Sequence, residues 1–271
     1  MTTAPDGDPT PAVRRHDSGA VRTLRLDRPG KLNALDESIR AGLERSLREL
    51  EDRPDIRVLV LAGNGRSFSA GADLAAGPPD GAADTWTGRR HAAGAWQRLL
   101  DLLERVPQAT VASLHGHCYG GATLLAVSCD IRIAADDLQV RIPELALGIP
   151  LTWAGVPRLA REVGLPVARD LVMTGRTLDA GEALAVGFVQ RVVPAAGLAE
   201  ATAALVGELT AMPAGPLAMT RALFAALGRD RLGPAGWADA DLLSWSRREP
   251  EGIEAAQAYL RDLCRARGRG S

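Results

Sequence analysis

Apolar positions along the chain switch repeatedly between a period of two and a period near 3.6, and each switch marks an element. Val21 to Leu26 alternates as a strand does, and Arg28-Pro29-Gly30-Lys31 follows as a turn. Leu35, Ile39, Leu43, Leu47 and Leu50 then recur at helical spacing from an Asp36-Glu37-Ser38 start. Ile56 to Leu61 is an unbroken apolar run, the pattern of a strand buried on both faces. Between Ala75 and Gly88, Gly77-Pro78-Pro79-Asp80-Gly81 breaks any period, which predicts a mobile loop, a candidate lid, running into a helix over Arg89 to Arg105. Thr110 to Leu114 is a third strand, Ala122 to Ser128 a short buried helix, and Ile131 to Ala135 and Leu138 to Ile142 two further strands. This alternation predicts an α/β or mixed layered core.

After Ala196 the pattern is almost purely helical, punctuated at Met212-Pro213, Gly233-Pro234 and Glu249-Pro250. The helices carry Leu223, Phe224, Trp237, Leu242, Leu243, Trp245, Tyr259 and Leu260, so the tail needs a cover, either its own core or a neighbouring subunit. The reading divides the chain into a polar, proline-rich and disordered leader over residues 1–15, a core over 16–195 and a helical region over 196–271.

Two glycine-centred loops interrupt the core: Arg66-Ser67-Phe68-Ser69-Ala70-Gly71-Ala72-Asp73-Leu74 and His115-Gly116-His117-Cys118-Tyr119-Gly120-Gly121-Ala122. Each follows an apolar strand and precedes small residues that can open a helix, so each presents bare backbone N–H groups. Two such turns facing one point would form an oxyanion hole for charge developing on a carbonyl oxygen.

Composition narrows the partners. The 271 residues carry a formal net charge of −1, with no concentrated basic run, which gives no reason to expect nucleic acid or an anionic membrane. Cys118, Cys129 and Cys264 have neither metal-ligand spacing nor an even count, so neither a metal site nor a disulfide framework is expected, and a reducing compartment fits best. No apolar stretch is long enough for a membrane span or signal peptide, and the reading is of a cytoplasmic protein.

Taken together, Leu26-Asp27-Arg28-Pro29 with Lys31 and Asn33-Ala34-Leu35, Phe68 to Leu74, Gly116 with Gly120-Gly121, Cys129-Asp130, and Pro143-Glu144 before Leu147-Gly148 resemble the enoyl-CoA hydratase/isomerase (crotonase) superfamily. The resemblance spans about Val21 to Pro194. It implies a spiral of stacked strand-strand-helix turns followed by an oligomerising helical region, homotrimers or homohexamers, and acyl-CoA thioester substrates with coenzyme A as carrier and no separate cofactor. By the same resemblance, the oxyanion donors are the N–H groups of Ala72 and Gly121. Adenine and phosphate contacts fall near Arg28, Lys31, Leu32, Ala70 and Asp73.

Family hydratases hold a water between two glutamates. Matching Gly120-Gly121-Ala122-Thr123 to the family motif puts Leu124 where the first glutamate belongs, whereas Glu144, after Pro143, occupies the second position. A single base beside an oxyanion hole suits shifting a double bond, by taking a proton from C2 and returning it at C4. Double-bond isomerisation is therefore expected ahead of hydration. Hydrolysis, decarboxylation and a non-catalytic acyl-CoA binder are the alternatives, since one hole serves every thioester enolate.

Simpler roles stand beside these. Glu144 could be an acidic first-turn residue favoured by a helix dipole. His115 and His117 could be acid/base groups, but flanking a glycine they more readily pack around the turn. Cys118 lacks a base and reads as structural. Trp86 and Trp153 could line an acyl pocket or simply pack.

Overall fold

The computed structural model describes residues 11–75, 85–232 and 239–268. Strands β1 (Val13–Ser18) and β2 (Val21–Leu26) form an antiparallel hairpin that leads into α1 (Glu37–Glu51). That helix starts where its side chains predict, because Asp36 Oδ1 accepts the Ile39 N–H at 3.0 Å. Then come β3 (Val58–Gly63), α2 (Trp86–Ala93), α3 (Ala95–Arg105), β4 (Ala109–Leu114), β5 (His117–Tyr119), α4 (Gly121–Val127), β6 (Ile131–Ala135) and β7 (Gln139–Arg141). A second stretch follows with α5 (Gly155–Val163), α6 (Leu165–Thr174), β8 (Thr177–Asp179), α7 (Ala180–Ala185) and β9 (Arg191–Val193). The helical end comprises α8 (Leu198–Ala211), α9 (Ala214–Leu232), α10 (Asp239–Ser246) and α11 (Pro250–Gly268).

Six strands form one sheet in the order β1-β2-β3-β4-β6-β9, parallel except for the first pair, and β5-β7-β8 form a second, smaller sheet. Both faces of the large sheet are covered, which is why β3 reads as an unbroken apolar run. Leu59 and Leu61 face the main core beside Leu43, Leu47, Leu99 and Leu125, while Val58 and Val60 face a second cluster with Leu205 and Val206 of α8. At about 1.5–3 kcal/mol for each fully buried aliphatic side chain, these two layers dominate the folding free energy. The result is a mixed α/β architecture with C-terminal helices, as the sequence implies.

Several boundaries differ from the sequence reading. The strand β1 begins at Val13, so the ordered core takes in residues assigned to a leader. The helix expected over Arg89 to Arg105 begins at Trp86 and is broken at Gly94, and the apolar run at Ile56 pairs as a strand only from Val58. The Gly77 to Gly81 loop and Trp237 lie outside the described residues.

The tail covers its own core in part. Arg221 of α9 reaches Asp130 at 2.9 Å and donates to the carbonyls of Leu103, Glu104 and Val106 at the end of α3. Helix α10 packs on α2, and α11 packs on the 3₁₀ turn Leu145–Leu147. Gly148 closes that turn at φ +69, and a Cβ there would overlap the Gly252 carbonyl of α11. Met219, Leu223, Phe224 and Leu227 leave an apolar strip exposed on α9. Among the described residues, no helix is long and apolar enough to cross a membrane.

The Gly148–Gly252 contact yields a test of how α11 is held. Gly148→Ala must adopt left-handed backbone, at about 1–2 kcal/mol, and also displace Gly252. Denaturant unfolding is expected to show a loss of about 2–4 kcal/mol, within the range of backbone-strain substitutions. A loss below about 1 kcal/mol would show that α11 can slide on the turn.

Candidate active site

The two glycine loops interlock through their backbones. Phe68 N–H donates to His115 O at 2.8 Å, Ser69 N–H to His117 O at 2.9 Å, and Tyr119 N–H to Ser69 O at 3.2 Å. Gly71 at φ +84 approaches so closely that a Cβ would stand 2.5 Å from the Tyr119 carbonyl oxygen. Only glycine fits there. The contact joins the segments that carry Ala72, one residue beyond Gly71, and Gly121, two residues beyond Tyr119. On the far side of the first loop, Leu35 N–H donates to Gly71 O at 2.8 Å and Asp73 N–H to Leu35 O at 2.9 Å. Strand alternation then turns the intervening Ala72 N–H away from Leu35. Gly121 opens α4, where a first-turn N–H has no intrahelical partner.

Against this pair stands Glu144. It precedes the 3₁₀ turn without making a side-chain cap. Its carboxyl lies instead at Gly120, where a Cβ would come within 2.7 Å of Oε1. Oε2 is buried with no hydrogen-bond partner among the described residues. Burial pushes the Glu144 carboxyl up to about 7, with its own backbone N–H opposing weakly. Trp153 covers the next residue, since a Cβ on Gly121 would overlap the edge of its indole ring. Leu124, 1% exposed, packs against Gly155 one turn away. Glu144 thus supplies one buried carboxyl group at Gly120, next to the Gly121 N–H at the start of α4, a pairing chemically able to move a proton next to a carbonyl.

The enoyl-CoA hydratase/isomerase family model matches residues 16–261. The chain belongs to that family. The Mycobacterium tuberculosis protein named "Probable enoyl-CoA hydratase echA8" is 38% identical over 197 residues, 72% of this chain and 74% of its own length. The short-chain-enoyl-CoA hydratase of Clostridium acetobutylicum is 33% identical over 176 residues, 65% of this chain and 66% of its own. A solved enoyl-CoA hydratase/isomerase from Mycobacterium paratuberculosis superposes with a TM-score of 0.83, covering 93% of this chain and 99% of that one at 21% identity, a likeness of fold.

Of the residues that the resemblance assigns to the carrier, Arg28, Lys31 and Leu32 meet Ala70 and Asp73 of the first loop. Ala70 N–H donates to Leu32 O at 2.9 Å. Asp73 bridges Arg28 at 3.0 Å and Lys31 at 3.4 Å. Burial raises the Asp73 carboxyl, but the hydrogen bonds from Arg28, the Ala75 N–H and Lys31 outweigh it and hold it below the ordinary range. Sequence reasoning gave no role to Asn33. Its fully buried Nδ2 donates to Asn64 O, Ser67 O and Phe68 O, fixing the strand-to-loop turn. Its place within the Asn33-Ala34-Leu35 block was the available signal.

The remaining candidates take structural places. His117 Nδ1 meets Ser67 Oγ at 2.7 Å, and His115 Nε2 lies 2.9 Å from Gly65 O, so both rings tie the loops together. Cys118 is fully buried, and burial pushes its thiol up to about 12. Trp86 is exposed beneath the Arg90 guanidinium.

Glu144 also links the site to stability. Its folded pKa of about 7 lies above the ordinary 4.5, so folding binds the proton more tightly than the unfolded chain does. The stabilising effect is complete below pH 4.5 and is lost as pH rises to 7, amounting to about 3 kcal/mol at 1.36 kcal/mol per unit. Glu144→Gln carries no such charge. In unfolding titrations the variant is expected to match the native protein at pH 5 and exceed it by about 1–3 kcal/mol at pH 8. A constant difference across that range would show that Glu144 is not held in an apolar setting.

Proposed function

We propose that the protein acts on acyl-CoA thioesters through an enolate and shifts a double bond from the 3- to the 2-position. The thioester oxygen accepts from the Ala72 and Gly121 N–H groups. Ionised Glu144 removes a C2 proton, the dienolate charge rests on that oxygen, and Glu144-H returns the proton at C4. Two preorganised donors in a dry site contribute a few kcal/mol each to such a transition state, and a carboxyl near neutrality can both accept and return the proton. The observation that carries this reading is the solitary Glu144 carboxyl at Gly120, with Leu124 filling the place of a second one. Arg28, Lys31, Leu32, Ala70 and Asp73 would hold the coenzyme A part.

Hydration is the second reading, and it is favoured by the names of the curated relatives, which are hydratases. It requires a water activated by one carboxylate instead of two. A non-catalytic acyl-CoA binder gains nothing from a buried, uncompensated acid, which costs stability above pH 4.5.

The two activities separate by product. A 3-enoyl-CoA is expected to give 2-enoyl-CoA at a rate that falls about 10²-fold or more in Glu144→Gln, with acyl-CoA affinity kept. Equal rates would remove Glu144 from the mechanism. Predominant 3-hydroxyacyl-CoA from a 2-enoyl-CoA would favour hydration, and Leu124→Glu would then be expected to raise that product. No turnover of either substrate would leave the binder.

The exposed α9 strip of Met219, Leu223, Phe224 and Leu227 fits a homotrimer or homohexamer in which a second copy covers it. Light scattering at micromolar concentration is expected to give three or six times the 28.5 kDa chain mass. A monomer would refute the assembly.

A further inference from the structure

Two successive non-glycine residues, Trp153 at φ +63 and Ala154 at φ +52, hold left-handed backbone. For a bulky residue that conformation is an outlier, and it persists only where the surroundings enforce it. The enforcing groups are plain. Ala154 N–H donates to Asp239 Oδ2 at 2.6 Å, from the start of α10. Arg158 Nη1 donates to Trp153 O at 2.6 Å. Arg158 is itself fully buried, anchored on α3 by Asp101 at 2.5 Å and by the two Glu104 oxygens at 3.1 and 3.2 Å. Three helices thus converge on one strained turn.

What the turn achieves is the placement of an indole ring. The edge of Trp153 meets Gly121, and its face stacks on Trp96 with centroids 5.0 Å apart and planes 15° from parallel. The ring cannot easily swing aside, because Trp96 backs it and the peptide group that follows it is tethered at both its oxygen and its N–H. A thioester with its oxygen on the Gly121 N–H and its α-carbon toward Glu144 would have this ring as its next neighbour.

We propose that Trp153 is the specificity-determining residue of the site, a fixed aromatic wall that admits short acyl groups and turns away long ones. The proposal rests on the acyl-CoA reading above. It makes Asp239 and Arg158 positioning residues, acting on substrate only through the indole.

Calorimetric titration of the full chain with coenzyme A, butyryl-CoA and octanoyl-CoA tests this without turnover. In an open apolar pocket each buried methylene is worth about fourfold in affinity, so octanoyl-CoA should greatly outbind butyryl-CoA. The native protein is expected to gain less than about threefold between the two, and Trp153→Gly at least about tenfold, with coenzyme A itself bound equally by both. Glycine accepts φ +63 freely, so this variant removes the wall while easing the turn. Trp153→Phe, which keeps a smaller ring, is expected to fall between them, and it decides the matter should the glycine variant not fold. Equal butyryl-to-octanoyl ratios in the native protein and in the folded variants would overturn the proposal. Failure of coenzyme A and butyryl-CoA to bind the native protein would instead overturn the acyl-CoA reading, and the proposal with it.

Discussion

The site depends on a backbone-to-backbone contact that no side chain could replace. Gly71 leans on the Tyr119 carbonyl, and Gly116 lies so close to the Arg66 carbonyl that a Cβ would overlap it. Around these two points the loops exchange hydrogen bonds from Phe68, Ser69 and Tyr119. Because both loops leave adjacent parallel strands, β3 and β4, their separation is inherited from the sheet spacing. The segments that carry Ala72 and Gly121 are therefore positioned by the sheet, and the hydrophobic layers on either side of it keep them so.

Charge is handled in opposite ways at and away from Glu144. Arg22, Arg132 and Arg158 are fully buried, and each is compensated: Arg22 by Asp17, Arg132 by Glu162 and Arg158 by Glu104. Breaking such pairs leaves an unmatched buried charge, which is strongly unfavourable. Glu144 differs, since it is buried and its Oε2 bonds to nothing among the described residues. Its cost above pH 4.5 is carried by the rest of the fold.

The elements legible in the sequence were those whose pattern is local. Strands β2, β3, β4 and β6 declared themselves as alternating or continuous apolar runs, α1 by its Asp36 cap and periodic leucines, and the two turns by their glycines. Motif order singled out Glu144, Ala72 and Gly121 but carried no sign of the burial of Glu144. What stayed hidden depends on distant partners. The α5 to β9 stretch is built from short segments, none longer than ten residues, and β1 lay in a region that looked like a polar leader. The turn at Trp153 is enforced by Asp239, 85 residues away, and glycine, the usual marker of left-handed backbone, is absent from both of its positions.

The Gly148–Gly252 crossing has a consequence for the order in which the molecule is assembled. The turn that carries Glu144 is backed by a helix more than a hundred residues further on, so its final packing waits until synthesis has passed Gly252. During synthesis the sheet and the two glycine loops can form early, since chains fold progressively from the N-terminal side. The turn that carries Glu144 reaches its final packing only when the α11 segment has emerged to meet it.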